Sequence, residues 1–66
     1  MRIEYSRSAD VLVVRLRDAE IADSRDLAEG VILHVDAQGR PVEVEFLDAS
    51  KVADLAEVRL APVALG

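Results

Sequence analysis

The stretch Val31–Leu47 reads VILHVDAQGRPVEVEFL. On either side of Asp36-Ala37-Gln38-Gly39, apolar and β-branched residues alternate with polar ones. Period-two alternation marks a strand with one buried face. An Asp that opens a turn, followed by a Gly where positive φ is wanted, marks a hairpin. Counting then fixes a register. With Gly39 as the bulge and Val35 opposite Arg40, Leu33 faces Val42 and Val31 faces Val44, so apolar meets apolar. A slip of one residue would set Leu33 against Glu43. The stretch therefore predicts antiparallel strands over Val31–Val35 and Pro41–Leu47. Val42, Val44 and Phe46 point inward, and Glu43 and Glu45 point outward.

Upstream, Met1–Tyr5 alternates, with Ile3 and Tyr5 on one side and Arg2 and Glu4 on the other. Ser6–Asp10 is small and polar, as turns are. Val11–Arg17 alternates again: Leu12, Val14 and Leu16 form one face, and Val11, Val13, Arg15 and Arg17 the other. Ile21–Leu27 is a weaker, charge-rich strand suited to a sheet edge, closed by a turn at Ala28–Gly30. Downstream, Asp48-Ala49-Ser50 supplies oxygen side chains that can cap a helix. Residues 48–56 predict a short capped helix with Val52, Leu55 and Ala56 on one side. So short a helix does not persist alone in water and must pack on the sheet. Pro62 forbids its continuation, and Val58–Leu65 is an apolar tail charged only at Arg59. The expected fold is α+β and mostly β: an antiparallel β-meander of about five strands, one short C-terminal helix and an apolar tail. It forms a single small domain over residues 1–66, with the sheet in 1–47, the helix in 48–56 and the tail in 57–66.

Composition bounds the rest. The 66 residues include 8 Lys and Arg against 13 Asp and Glu, a net charge of −5, with no Cys, no Trp and one His. Without Cys there is neither a zinc ribbon nor a disulfide framework. A hydrophobic fraction of 52% with three Gly and two Pro excludes disordered and collagen-like chains. A lone His and scattered carboxylates do not make a metal site, so no cofactor is expected. A chain this small buries little of its surface, and with disulfide and metal excluded, a partner subunit is the remaining support. A homodimer is expected, with a small protein partner as a further binder. Val11, Val13 and Ile32 on the second sheet face, and Val58, Leu60, Val63 and Leu65 in the tail, are the interface candidates. No apolar run approaches the roughly 20 residues of a membrane span. The N-terminal residues Arg2 and Glu4 do not suit an export signal, so the expected compartment is the cytoplasm.

Candidate chemistry is sparse. His34 is of the residue type suited to a general base or pH switch, but no Ser or Cys motif accompanies it, and a strand residue beside Ile32 is the better reading. Asp10, Asp36 and Asp48 read as turn openers or helix caps rather than metal ligands, and the spacing of an EF-hand loop is missing. Arg2, Arg7, Arg15 and Arg17 cluster in the first two strands. The net charge and the scarcity of aromatic residues argue against nucleic acid, which leaves a solvated face or intersubunit ion pairs. Tyr5 reads as core-edge packing. The alternative is a small-ligand binder or enzyme with its site at a dimer seam, where Tyr5, Arg15, His34 and Asp48 are the residues to suspect.

Several motifs together resemble a known family. They are Tyr5, Ala9-Asp10, Leu12-Val13-Val14-Arg15-Leu16, Gly30-Val31-Ile32, Asp36, Gly39 and Leu47-Asp48-Ala49-Ser50. In order and spacing they resemble the small prokaryotic family called domain of unknown function 2283, over residues 1 to about 51. Ser6, Ser8 and His34 depart from the acidic or polar residues usual in it. The resemblance implies no activity, cofactor or catalytic residue. Some members are encoded beside small toxin-like proteins, which implies an antitoxin-like role. The expected function is a non-enzymatic interaction module, self-associating and binding a partner by strand addition at a sheet edge.

Overall fold

The structure, a computed structural model, describes residues 1–54. Five strands form one antiparallel sheet: β1 (Arg2–Ser6), β2 (Val11–Arg15), β3 (Asp23–Ala28), β4 (Val31–Val35) and β5 (Pro41–Leu47); α1 (Ala49–Val52) follows. Strand order is β1-β2-β5-β4-β3. The β1–β2 hairpin and the β3–β4–β5 meander are thus joined along β2 and β5. The arrangement follows composition. β2, β4 and β5 carry the apolar alternation and take the centre. β1 and β3 carry Arg2 and Glu4, and Asp23, Arg25 and Asp26, and take the two edges. Charged edges resist pairing with other chains.

To reach β3, the segment 16–22 crosses one end of the sheet. Leu16 N–H donates to Val42 O (2.7 Å), Arg17 Nε to Pro41 O (3.1 Å) and Ala22 N–H to Val35 O (2.8 Å). This crossover ends β2 at Arg15 instead of Arg17 and delays β3 to Asp23 instead of Ile21.

The β4–β5 register differs from the counted one. The turn closes with Asp36 N–H on Arg40 O (2.9 Å) and Gly39 N–H on Asp36 O (3.0 Å), and Val35 faces Pro41, not Arg40. Carried on without correction, that closure would set Leu33 against Glu43. The ladder shifts between His34 and Val35, where Val42 is the extra residue. Such a β-bulge advances one strand by one position. Leu33 then faces Val44 and Val31 faces Phe46. The apolar pairing predicted from the sequence is kept, two residues further along. A second bulge, at Leu27, adjusts β3 to β4.

The helix is shorter than predicted. It spans Ala49–Val52, and Ala53 is extended (φ −140°, ψ 150°). Leu55, Ala56 and the tail residues Val58, Leu60, Val63 and Leu65 lie outside the described residues. Val52, expected on the packed side, is 56% exposed; only Ala49 of the helix is buried. The helix therefore docks at the sheet end and does not cover a face. Among the described residues the buried apolar side chains are Val35, Val42 and Ala49. Val35 and Val42 sit at the crossover end and Ala49 at the other, so the described residues leave the middle of the sheet half-buried. No described helix is long and apolar enough to cross a membrane.

Candidate functional site

Register sorts the side chains into two unlike faces. Ile3, Val14, Val44 and Leu33 form one row across four strands, and Tyr5, Leu12, Phe46 and Val31 form the next. Apart from exposed Tyr5, these residues are half-buried. Arg25, opposite Leu33 on β3, and Asp23, opposite Val35, border this apolar face. The other face carries the row Arg2, Arg15, Glu43, His34 and Ser24, then the row Glu4, Val13, Glu45, Ile32 and Asp26.

That second face is laced by hydrogen bonds. Ser24 Oγ lies 2.7 Å from His34 Nδ1, and His34 Nε2 lies 3.0 Å from Glu45 Oε1. Arg15 reaches Glu43 Oε2 (3.3 Å), Asp18 Oδ1 (3.4 Å) and Ala19 O (3.0 Å). The chain Ser24–His34–Glu45 joins a hydroxyl, an imidazole and a carboxylate, as a nucleophilic relay does. Acyl transfer also needs donors for the developing oxyanion. The N–H of Ser24 is already held by Asp23 Oδ1 at 2.8 Å, and Ser24 is exposed on an edge strand. The chain acts as a strut across β3, β4 and β5.

Both sheet ends are clamped by aspartates. At the helix end, Asp10 adopts the left-handed region (φ 53°), which a short polar side chain tolerates. Its carboxylate accepts from Tyr5 OH (2.7 Å), Ser50 N–H (3.0 Å) and Ser50 Oγ (2.6 Å), while its carbonyl accepts from Ala49 N–H (2.9 Å). Asp10 thus does from 40 residues away what Asp48 was expected to do. Asp48 occupies the N-cap position but makes no side-chain capping bond. The bonds from Ser50, then from Tyr5, hold the Asp10 carboxyl below its ordinary pKa, and the same contact raises the Tyr5 phenol. At the crossover end, Asp36 Oδ2 binds Arg17 Nη2 and Arg40 Nε, while Oδ1 accepts the N–H groups of Gln38 and Arg40 (both 2.9 Å). The Arg17 guanidinium, followed by the Arg40 N–H, holds the Asp36 carboxyl well below the usual carboxylate range.

The suspected ligand residues are therefore divided. Arg15 and His34 flank Glu43 in one row of the polar face, whereas Tyr5 and Asp48 belong to the helix end. Val11, Val13 and Ile32 are half-buried on the polar face, with Glu45 between Val13 and Ile32. No described group of three or more His, Cys, Asp or Glu could hold a metal ion. Sequence reasoning missed the partnerships of Asp10 and Asp36. Each was legible as a turn residue, but its long-range contact depends on the strand order.

The clamps gather Tyr5, Asp10, Ser50 and Asp36, all drawn from the motifs that carried the resemblance. The profile of the family described as Protein of unknown function (DUF2283) matches residues 2–50. The chain belongs to the DUF2283 family. Comparison with curated proteins and with solved structures gives no match. In this DUF2283 chain the matched stretch ends at Ser50, the residue that closes the Asp10 clamp.

Proposed function

We propose that this chain is a protein-interaction module that works as a homodimer, built by stacking the apolar sheet faces of two copies. The observation that carries this reading is the face of Ile3, Leu12, Val14, Val31, Leu33, Val44 and Phe46, which the described residues leave only half-buried. A sheet with one apolar face is stable only when that face is covered. Among the described residues only three apolar side chains are buried, a small core against the entropy of ordering the chain. A second copy suits the face for two reasons. An unbroken apolar surface is complementary to itself under a twofold axis. Its charged border, Asp23 and Arg25 of opposite sign, lets each copy meet the other without repulsion. Edge pairing is the weaker route, because both edges are charged and the Ser24 N–H is capped by Asp23.

With the face used in self-association, the polar face, edges and loops are left for a small protein partner. An antitoxin-like role is the most concrete version of that partnership, and it rests on the family resemblance. The test is light scattering down a dilution series with a far-UV spectrum at each step. A dimer whose strand signal falls as it dissociates is the expected result. A folded monomer at every concentration would overturn the reading and point to residues 55–66 as the cover.

A further inference from the structure

Three arginines line one corner of the polar face. Arg2 of β1, Arg15 of β2 and Arg17 of the crossover line a single cavity of about 110 Å³, together with Met1 and Asp18. Folding alone does not favour this. Arg2 and Arg15 are direct partners in the β1–β2 ladder, and like charges directly opposite destabilise a sheet. Each guanidinium is steadied by a carboxylate: Arg2 Nε by Glu4 (2.8 Å), Arg15 Nη1 by Glu43 (3.3 Å), and Arg17 Nη2 by Asp36. Arg17 Nε is held by Pro41 O. Both Nη groups of Arg2 and Nη1 of Arg17 therefore have no partner among the described residues and remain free to donate.

We propose that this cavity binds a tetrahedral oxyanion, either inorganic phosphate or the phosphate group of a phosphomonoester. The lining side chains are cationic, three arginines against Asp18, although Glu4, Glu43 and Asp36 already neutralise them; a phosphomonoester, at about −1.5 to −2 at pH 7, binds by taking donors over from these carboxylates. Donor chemistry supports that class too, since planar guanidinium forks suit the oxygens of a phosphate. The Asp18 side chain is 98% exposed, so it can swing into water while a phosphate oxygen replaces it on Arg15 Nε. The cavity takes one such group and leaves whatever it is attached to in solvent. Glu4, Glu43 and Asp36 compete for the same guanidinium groups, so the affinity is modest. The site lies on the face away from the proposed dimer contact, and either idea can fail without the other.

The test is NMR of the full chain, following the arginine Nε–H signals at constant ionic strength. Inorganic phosphate, O-phosphoserine and chloride are added in turn. Saturable shifts at Arg2, Arg15 and Arg17, with Arg7 and Arg25 silent, are the expected result. Shifts with both phosphate compounds identify the phosphate group as the ligand; shifts with inorganic phosphate alone identify the free ion. The Arg2→Gln variant changes a residue whose side chain is 65% exposed on an edge strand, so the fold should survive, and it should weaken binding roughly tenfold. The absence of saturable shifts, equal shifts with chloride, or unchanged affinity in Arg2→Gln would each overturn the proposal.

Discussion

Gly30 and Gly39 both sit at positive φ, 75° and 78°, yet their surroundings differ. A Cβ on Gly39 would meet nothing within 4 Å, whereas one on Gly30 would lie 3.3 Å from Leu47 O. That oxygen belongs to the residue whose N–H donates to Gly30 O at 2.8 Å, so it cannot retreat freely. Gly39→Ala should cost only the left-handed strain of a non-glycine residue, about 1–2 kcal/mol. Gly30→Ala should cost that and the crowding besides, and denaturant melts of the two variants should rank them so. Asp36 gives a prediction with a sign. A carboxyl whose pKa is lower in the folded than in the unfolded chain adds stability above the unfolded value of about 3.9, and that stability is lost as pH falls below it. The urea midpoint of the wild-type chain should therefore drop as pH falls from about 5 toward 2. Asp36→Asn should start lower and fall less steeply, the two curves converging in acid. Asp10, depressed in the same direction, leaves a smaller slope in the variant. Parallel curves would show that Asp36 is not what the acid disrupts.

At the scale of elements, the strands were legible and their neighbours were not. β4 and β5 fall where alternation puts them, because a central strand with one apolar side leaves a clear period. β3 and the end of β2 moved, because the crossover takes Leu16 N–H and Ala22 N–H for Val42 and Val35, and that contact exists only once β5 lies beside β2. The β4–β5 register slipped by two for a similar reason. The closure at Pro41 and the bulge at Val42 each move the register by one, so together they leave the apolar pattern in phase and counting cannot detect them. The helix shows the same limit. Asp48-Ala49-Ser50 located its start, but the carboxylate that caps it comes from the β1–β2 turn. Asp10→Ala should accordingly loosen α1 and spare the sheet. Amide exchange at Ser50 should speed up, while the β4–β5 ladder amides stay protected. Equal loss across both would mean that the clamp and the sheet unfold as one unit.

For the whole molecule, the two faces make opposite demands, and alternation showed this only in part. The polar rows of β2, β4 and β5 interlock through Arg15, Glu43, His34 and Glu45, and water can cover what remains of them. The apolar rows have no such recourse. Leu12, Val14 and Phe46 were readable as inward-facing, but that α1 would stop after four residues and expose Val52 was not, because the chain turns out at Ala53. A dimer through this face predicts different outcomes from two substitutions of the same chemistry. Val44→Asp places a carboxylate in the middle of the apolar rows and should raise the dimer dissociation constant by roughly a hundredfold or more, as an unpaired charge in an interface does. Val13→Asp places it on β2 between Glu4 and Glu45, on the face that already holds charge, and should cost stability through like-charge repulsion while leaving the dimer intact. Light scattering of the two variants at matched concentration decides between the faces. If Val13→Asp dissociated the dimer and Val44→Asp did not, the contact would lie on the polar face, through Val11, Val13 and Ile32.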